Sequence, residues 1–457
     1  MASDRVCTLS SLAQTFTATT VTMGDTSALK KRTKRLVLGR RHHAMVRFPH
    51  GLGQVCLEEA QQYLSSAIFP AEESPVLTLK ENSVEVSNIS YRELLALAMQ
   101  MTTARDILWV VQEGPADSIA KLKKKLAQVP WDFFLCPGDK WAIRATSRAS
   151  RVFHEGLIKE SVQKQLESRG CLVVQAKDAD QRLDICLESD RFRIALSISG
   201  RFLYQRRYKS SLHSVAPLKE DLAAGLVRLG WNDRTETTLH ERAIQIWVPF
   251  AGSGTLAFES IFFLRKIAPE IFFGSLGAES FPCTPEASAK FARATLRRQW
   301  LAHKETRHHW HLVEMNAVQF ESLKKNVAYF REKLASVGCL PPTISLEHTD
   351  IFLTKPPAVT RGDILLALFN PPYGERLGSK NDARKTYKNI GQILTQLPSD
   401  IEVRGAILVP DLDTLQTFTT ALQTFQTKEH IIRQGGKKIT VVTFSRQAKA
   451  TATPISL

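Results

Sequence analysis

The sequence predicts an α/β protein with a parallel sheet in its C-terminal half and a smaller α+β region before it. After residue 200, short and wholly apolar strand candidates alternate with helices, as is typical of strands buried on both faces of a parallel sheet. Before residue 200, strand and helix patterns alternate on a smaller scale, as in α+β modules with antiparallel sheets. The length of 457 residues is enough for two or three domains with their own cores.

Apolar periodicity places the expected elements along the chain. In the N-terminal half the expected strands are 44–48, 83–86, 141–145, 171–175, 183–187 and 192–199, and the expected helices are 54–64, 91–101, 117–126 and 156–167. In the C-terminal half the expected strands are 245–248, 311–313, 343–346, 364–369, 405–409 and 438–444, with helices at 256–265 and 317–330. The last strand is expected to pair in a hairpin that begins near His430 and turns at Gly435 and Gly436.

The charge balance indicates a polyanionic partner. The chain has 61 Lys and Arg residues against 45 Asp and Glu, a formal net charge of +16. Such an excess favours nucleic acid or an anionic membrane surface. No uncharged apolar run approaches the ~20 residues that a spanning helix needs, so no membrane partner is expected. The 7 cysteines are scattered without a CxxC pair, which argues against a disulfide scaffold and favours a reducing compartment.

Residues 1–42 are predicted to form a flexible basic tail. Ser and Thr dominate up to Ser27, and a run of lysines and arginines follows from Lys30 to Arg41. Such a run is most often a solvated arm that adds non-specific affinity for phosphates. An organelle transit peptide is the alternative, because the segment is poor in acidic residues, although Arg5 is the only basic residue before Lys30.

A glycine-rich turn directly follows the first apolar strand of the C-terminal half. Its residues are Pro249, Phe250, Ala251, Gly252, Ser253, Gly254 and Thr255. Glycines let the backbone turn sharply and lie close to a ligand, and a strand, glycine-rich turn and helix commonly hold the adenosine part of a cofactor. The third glycine of a dinucleotide fingerprint and the Lys-Ser/Thr of an ATP-binding loop are absent. A simple tight turn is the alternative.

Acidic residues follow the next two strands. Glu314, followed by Met315, comes directly after strand 311–313, where a carboxylate can accept hydrogen bonds from both hydroxyls of a ribose. Asp350, followed by Ile351, comes after strand 343–346, where it can bind an adenine amino group. Each acid has a structural alternative: Glu314 as a solvent-facing acid at a helix start, and Asp350 as a cap of the next segment.

The sharpest signal is Asn370-Pro371-Pro372-Tyr373, directly after the apolar strand 364–369. Open α/β sheets bind ligands at this carboxyl end. The two prolines fix the backbone and remove two N–H donors. The side-chain oxygen of Asn370 and the carbonyl of Pro371 can accept both hydrogens of an exocyclic amine on a base, and Tyr373 can stack on a flipped-out base, worth about 1–3 kcal/mol. The alternative is a Pro-Pro turn with a buried tyrosine.

These motifs, in this order, resemble the class I S-adenosylmethionine-dependent methyltransferases that act on amino nitrogens. Further segments are similar to the THUMP-domain RNA guanine-N2 methyltransferases of bacterial 23S rRNA and of tRNA. They are 216–224, Trp231, Phe258-Glu259, Ala268-Pro269 and 370–376, together with 143–154, which is similar to the THUMP signature, and 202–208, which resembles the family's domain junction. The resemblance covers residues from about 43 to 445.

The resemblance implies a domain organisation and a reaction. Residues 43–115 would form a ferredoxin-like lobe, 116–200 a THUMP domain, and 201–457 a Rossmann-like class I methyltransferase domain. The cofactor would be S-adenosyl-L-methionine, bound by the glycine-rich turn, Glu314, Met315, Asp350, Ile351 and Asn370. The product would be N2-methylguanosine in a structured RNA, with 23S-type rRNA favoured over tRNA and ribosomal assembly intermediates as further candidate partners. The expected compartment is the cytoplasm, with the mitochondrial matrix as the alternative.

Basic residues near the THUMP-like segment and the junction are the expected RNA contacts. They are Arg144, Arg148, Arg151, His154, Lys159, Arg206 and Arg207. A basic insert between Gly254 and Glu314, with Arg293, Arg297, Arg298 and Lys304, is a further candidate. No metal site is expected, because the paired histidines lack a metal-binding spacing.

The chain departs from the family at two positions and leaves two rival functions open. The family usually has an acid where this chain has Val248, and often Cys where it has Ala251. The acid helps to hold the amino group of the cofactor's methionine. Val248 therefore keeps open a catalytically weakened RNA-binding or ribosome-assembly factor. A DNA adenine-N6 methyltransferase is the other rival, because the Asn-Pro-Pro-Tyr motif serves any exocyclic amine.

Overall fold

The computed structural model describes residues 23–65, 74–209, 218–231, 242–302, 307–372, 380–434 and 436–449. The N-terminal helices are α1 (Met23–Thr33), α2 (Gly53–Ser65), α3 (Tyr91–Gln100), α4 (Ile119–Leu126) and α5 (Glu155–Glu167). The N-terminal strands are β1 (Arg41–Arg47), β2 (Val76–Leu79), β3 (Ser83–Ser90), β4 (Asp106–Pro115), β5 (Lys140–Arg148), β6 (Leu172–Val173), β7 (Gln181–Glu188) and β8 (Arg191–Ser197).

These strands form one sheet in the order β2-β3-β1-β4-β8-β7-β5-β6. Only β5 pairs in parallel, with β6 and β7, and the other described pairs are antiparallel. The expected boundary between two lobes at 115/116 falls at the end of β4, which pairs with β8. The two lobes therefore share a continuous sheet, and their division into separate domains stays a prediction.

Part of the expected flexible tail is folded, which corrects that expectation for residues 23–42. After α1, a π-helical turn covers Lys34–Leu38, and Arg41 begins β1. The side chain of Val37 is buried, and the backbone carbonyl of Val37 lies 2.7 Å from Nε2 of His42. Arg32 bonds Asp132 at 2.7 Å. These contacts hold the basic segment against the N-terminal sheet, and residues 1–22 lie outside the described part of the chain.

The C-terminal half carries the predicted parallel sheet. Its helices are α6 (Glu220–Trp231), α7 (Thr255–Leu264), α8 (Glu270–Phe273), α9 (Glu286–Ala302), α10 (Ala317–Ser336), α11 (Lys380–Thr395) and α12 (Leu412–Ala421). Its strands are β9 (Ile244–Pro249), β10 (His309–Val313), β11 (Thr343–Glu347), β12 (Ile364–Phe369), β13 (Glu402–Val409), β14 (Gln426–Gln434) and β15 (Lys437–Arg446).

The strand order is β11-β10-β9-β12-β13-β15-β14. The strands β9 to β13 pair in parallel, whereas β15 is antiparallel to β13 and pairs with β14 as the expected hairpin. Every residue of β12 and β13 is buried, as expected for strands covered on both faces. The chain runs outward from β9 to β11 and then returns beside β9 with β12. This reversal opens a crevice at the carboxyl ends of β9 and β12, where doubly wound sheets bind ligands.

A buried hydrogen bond from Arg206 and a buried ion pair of Arg228 join the two halves of the chain. Arg206 is fully buried, pairs with the equally buried Glu259 of α7, and donates to the carbonyl of Thr102 in the N-terminal half. The hydroxyl of Tyr208 donates to Glu259 at 2.8 Å. A second pair joins Arg228 of α6 to Glu59 of α2 at 2.7 Å. Because buried charges are costly unless they are paired and hydrogen-bonded, these contacts tie the two halves together.

Glu259, the buried partner of Arg206, makes a pH-dependent contribution to the stability of the fold. Burial raises the pKa of the Glu259 carboxyl from 4.5 to about 7, against the opposing effects of Arg206 and the Tyr208 hydroxyl. A raised pKa in the folded state contributes stability that is fully present below pH 4.5 and is lost as the pH rises through about 7. We therefore expect the unfolding midpoint of the wild type to fall over this range relative to that of Glu259→Gln. Thermal unfolding of both proteins at several pH values measures this difference, and parallel profiles would contradict the assignment.

Candidate active site

The glycine-rich turn bends sharply out of β9 into α7. Gly252 and Gly254 have φ of 56° and 96°, and Phe250 also has a positive φ of 61°. A Cβ on Gly254 would lie 2.7 Å from the ring of Phe258, so glycine is required there for packing. A Cβ on Gly252 would meet no described atom within 4 Å. The backbone at Gly252 therefore borders open space beside the N-terminus of α7, where N–H groups favour polar or anionic ligand groups.

Glu314 links the ends of β9 and β10. One carboxylate oxygen accepts a hydrogen bond from the backbone N–H of Gly252 at 2.8 Å, and the other accepts from the N–H of Asn316 at 2.8 Å. The backbone N–H of Glu314 donates to the carbonyl of Glu347 at the end of β11, 3.1 Å away. The side chain is therefore fixed at the carboxyl edge of the sheet and is not a freely solvated acid. Each carboxylate oxygen keeps a further lone pair for a ligand hydroxyl.

Asp350 and Asn370 lie at the ends of the next two strands of this edge. Asp350 caps the 3-10 turn Ile351–Leu353 by accepting from the N–H of Phe352 at 3.0 Å. This is the capping role that the sequence left open, and a role toward adenine stays a prediction. Asn370 directly follows β12, and its Oδ1 is buried without a hydrogen-bond partner in the described part of the chain. A buried oxygen without a partner is costly, so this one is a natural acceptor for a donor on a ligand.

The other expected cofactor and catalytic residues occupy the same edge with different exposure. Ala251, Ser253, Thr255 and Ile351 are buried, whereas Met315 is 60% exposed. Pro371 is buried and Pro372 is partly exposed, while Tyr373 lies outside the described residues. Val248 is completely buried in the apolar core, beside Leu312 of β10. This position therefore offers no carboxylate to a cofactor amine.

Asn326 is a residue that the sequence analysis missed. Its side-chain amide, fully buried on α10, donates to the carbonyl of Ser253 at 3.0 Å and so fixes the glycine-rich turn. One feature of the sequence could have identified Asn326: it is a polar residue within the buried stripe of the helix, between Leu323 and Val327.

The expected RNA contacts are surface residues with one exception. Arg144, Arg148 and Arg151 are 60%, 68% and 76% exposed, and each lies within 4 Å of an acid. His154, Lys159 and Arg207 are also exposed. The expectation for Arg206 is wrong, because its side chain is fully buried in the pair with Glu259. In the insert, Arg293 bridges Glu270 and Glu279 and has a structural role, whereas Arg297 and Arg298 are exposed and Lys304 lies outside the described residues.

Within the residues that the structure describes, no group of three His, Cys, Asp or Glu side chains could hold a metal ion. None of the described helices combines the length and apolar character that crossing a membrane would demand.

Known proteins resemble this chain in sequence and in fold. Ribosomal RNA large subunit methyltransferase K/L of Shewanella sp. (strain MR-4) is 26% identical over 386 residues, which cover 77% of this chain and 50% of that protein. The protein of the same name from Syntrophotalea carbinolica is 26% identical over 310 residues, covering 64% of this chain and 40% of that protein. The chain thus spans about half the length of these relatives or less.

Two solved structures share the fold across both halves. SMU.472, solved as a complex with SAH, has a TM-score of 0.68 at 19% identity and covers 90% of this chain and 100% of its own. TrmN from Thermus thermophilus has a TM-score of 0.57 at 17% identity and covers 88% and 99%. The prediction of a Rossmann-like C-terminal half is confirmed. The model of the RMKL-like methyltransferase domain matches residues 206–441, more than half of the chain, and the protein belongs to this family.

Proposed function

We propose that the protein transfers a methyl group from S-adenosyl-L-methionine to the exocyclic N2 of a guanosine in a structured RNA. The observation that carries the proposal is the buried Oδ1 of Asn370, which has no hydrogen-bond partner among the described residues and lies at the carboxyl end of β12 beside the crevice. The relatives named as large-subunit rRNA methyltransferases support an RNA substrate, with rRNA favoured over tRNA. The net charge of +16 supports a polyanionic partner.

The residues present fit the cofactor. The open space beside Gly252 accommodates a ligand against the backbone, and Glu314 has lone pairs to accept the hydroxyls of a ribose. The structural neighbour solved with SAH, the demethylated form of the cofactor, supports this assignment. When bound, the cofactor supplies a methyl group on a positively charged sulfur, which is already electrophilic.

The task of the protein is therefore to align the acceptor amine. The lone pair of a guanine N2 is delocalised into the ring, which makes the amine a poor nucleophile. Oδ1 of Asn370 and the carbonyl of Pro371 would accept its two hydrogens, orient the amine and localise the lone pair for attack. Tyr373 would stack on the flipped-out base. RNA would contact Arg144, Arg148, Arg151, His154, Lys159 and Arg207, mostly through phosphates and 2′-hydroxyls.

The cofactor site is tested by Gly252→Ala. Its Cβ would project into the open space that we assign to the cofactor, so we expect the affinity for SAH to fall roughly tenfold or more, about 1.4 kcal/mol. Gly138→Ala is the matched control, because Gly138 also has a positive φ, 89°, and an open Cβ position. In both variants alanine must adopt a positive φ, so the loss of stability should be similar. Only Gly252→Ala should weaken the binding of SAH measured by calorimetry. Equal affinities in the two variants would contradict the placement.

The burial of Val248 favours one alternative, a catalytically weakened RNA-binding or ribosome-assembly factor. Calorimetry with S-adenosyl-L-methionine separates the two functions, because the enzyme must bind the cofactor and the assembly factor need not.

Competition between RNA and DNA for the wild-type chain tests the third possibility, an adenine-N6 methyltransferase acting on DNA. Preference for DNA would contradict our proposal. The cytoplasm remains the proposed compartment, with the mitochondrial matrix as the alternative.

A further inference from the structure

The folded basic segment carries charge that no described contact neutralises. Residues 30–41 contain seven cations and no acid: Lys30, Lys31, Arg32, Lys34, Arg35, Arg40 and Arg41. Of these, Arg32 pairs with Asp132 and Arg41 pairs with Glu93. Among the described side chains, no carboxylate lies within ion-pair distance of Lys30, Lys31, Lys34 or Arg35, and all four are exposed.

These four cations share one side of the helical segment. The pairs Lys30 and Lys34, and Lys31 and Arg35, are each four residues apart, the spacing at which side chains on a helix face one another. Like charges at this spacing destabilise an isolated helix by about 0.2–0.5 kcal/mol per pair. The segment therefore repels itself, and its conformation depends on contacts made by its other side.

That other side is fixed to the N-terminal sheet. Thr33 and Val37 are 6% and 1% exposed, and Leu29, Leu36 and Leu38 pack against the core. The guanidinium of Arg32 lies 4.6 Å from the ring centre of Phe133. On a flexible arm, the cations could move to meet anions at many positions. This packing instead holds the cations at fixed positions on a rigid surface.

A second helix with exposed cations, α9, also packs against α3. Helix α3 packs against both the π-helical turn and α9 of the C-terminal half. Arg297 and Arg298 are exposed on α9, as is Lys290, which pairs with Glu286 at 2.6 Å; the spacing places the three cations on one side of the helix. The exposed guanidinium of Arg92 on α3 lies 5.6 Å from the ring centre of Phe291 on α9. The ring of His42 contacts Tyr91, and the hydroxyl of Tyr91 is hydrogen-bonded to Thr284 just before α9. Through α3, the basic segment of the N-terminal half is therefore connected to a helix with exposed cations in the C-terminal half.

We propose that α1 with its π-helical turn, together with α9, forms a second RNA-binding surface that takes the phosphate backbone of a duplex flanking the target nucleotide. The inference rests on the proposed function. Residues 23–38 include no aromatic side chain, so this segment offers phosphate contacts and no stacking platform for single-stranded bases. Cations fixed on rigid helices suit a regular backbone, which positions the RNA without reading its sequence.

The test compares two quadruple variants of the full chain. The first is Lys30→Gln/Lys31→Gln/Lys34→Gln/Arg35→Gln. The charge-matched control is Lys428→Gln/Arg433→Gln/Lys437→Gln/Lys438→Gln, on exposed positions of the β14–β15 hairpin at the far edge of the catalytic sheet. The probe is an RNA duplex of arbitrary sequence and at least roughly 16 base pairs, followed by fluorescence anisotropy over a series of salt concentrations. Thermal unfolding of each variant checks that it is folded, and removing the repulsion in α1 should not lower its midpoint.

We expect the α1 variant to lose roughly tenfold or more in affinity and to reduce the slope of log K against log salt by about 3 to 4. The hairpin variant should stay close to the wild type. Equal losses of affinity in both variants would mean that only net charge matters for RNA binding. Unchanged affinity in the α1 variant would mean that its cations do not contact RNA. Either result would overturn the inference and leave the proposed function standing. Loss of binding to phosphatidylglycerol vesicles with unchanged RNA affinity would assign the surface to a membrane. A wild-type chain with no affinity for any RNA would contradict the proposed function itself.

Discussion

Replacing Asn370 by alanine is expected to reduce methyl transfer by roughly 100-fold or more, the effect of removing one positioned hydrogen-bonding group from an active site. The change removes the buried Oδ1 that has no described partner in the protein. The unfolding midpoint should change little, because Oδ1 makes no hydrogen bond within the part of the chain that the structure describes. Radiolabelled methyl transfer to RNA, measured at saturating cofactor, gives the rate.

Two further measurements separate this role from a general defect. Asn370→Ala should bind RNA nearly as the wild type does, since most of the affinity for RNA is expected from phosphate contacts made by the exposed cations. Asn370→Asp keeps an oxygen acceptor at this position and should retain more activity than the alanine variant. Turnover in Asn370→Ala close to that of the wild type would contradict the role that we assign to this side chain.

Replacing Arg206 by methionine is expected to lower the free energy of unfolding by about 3–5 kcal/mol. The variant leaves the fully buried Glu259 without its cation and the carbonyl of Thr102 without its donor. Since the hydrogen bond from Arg206 to the carbonyl of Thr102 crosses between the two halves, the loss should appear in the unfolding of the whole chain. Denaturant unfolding followed by tryptophan fluorescence measures it.

The neighbouring residue gives a matched control for Arg206. Arg207 is exposed, so Arg207→Met should leave stability close to that of the wild type and affect only RNA binding. The double variant Arg206→Met/Glu259→Gln removes the unpaired carboxylate and should regain part of the lost stability. If Arg206→Met and Arg207→Met were equally stable, the buried pair would not have the structural importance that we assign to it.

The fold of the C-terminal half could be predicted because its strands are apolar along their whole length. The apolar run 364–369 predicts a buried parallel strand, and Asn370 directly after it marks the carboxyl end of that strand. In the structure, 364–369 is the buried strand β12 and Asn370 follows its carboxyl end. The glycine-rich turn and Glu314 were expected to lie at one edge, and the 2.8 Å hydrogen bond from the N–H of Gly252 to Glu314 brings them together. The catalytic and cofactor roles themselves stay predictions.

Long-range contacts explain what the sequence could not predict. Arg206 has the sequence signature of a surface cation, and only its pairing with Glu259, 53 residues away, makes burial possible. The basic tail lacks clear apolar periodicity, and its helix depends on contacts with Asp132 and Phe133. Strand β4 was missed, although it joins the two halves of the N-terminal sheet through its pairing with β8. In each case the deciding partner is distant in the chain.

The most direct test of the central claim is methyl transfer from labelled S-adenosyl-L-methionine to unmodified total rRNA and tRNA, followed by digestion to nucleosides. We predict label in N2-methylguanosine, chiefly in the rRNA pool, and its loss in Asn370→Ala. Label in N6-methyladenosine, or no label in a chain that still binds RNA tightly, would contradict the proposed reaction.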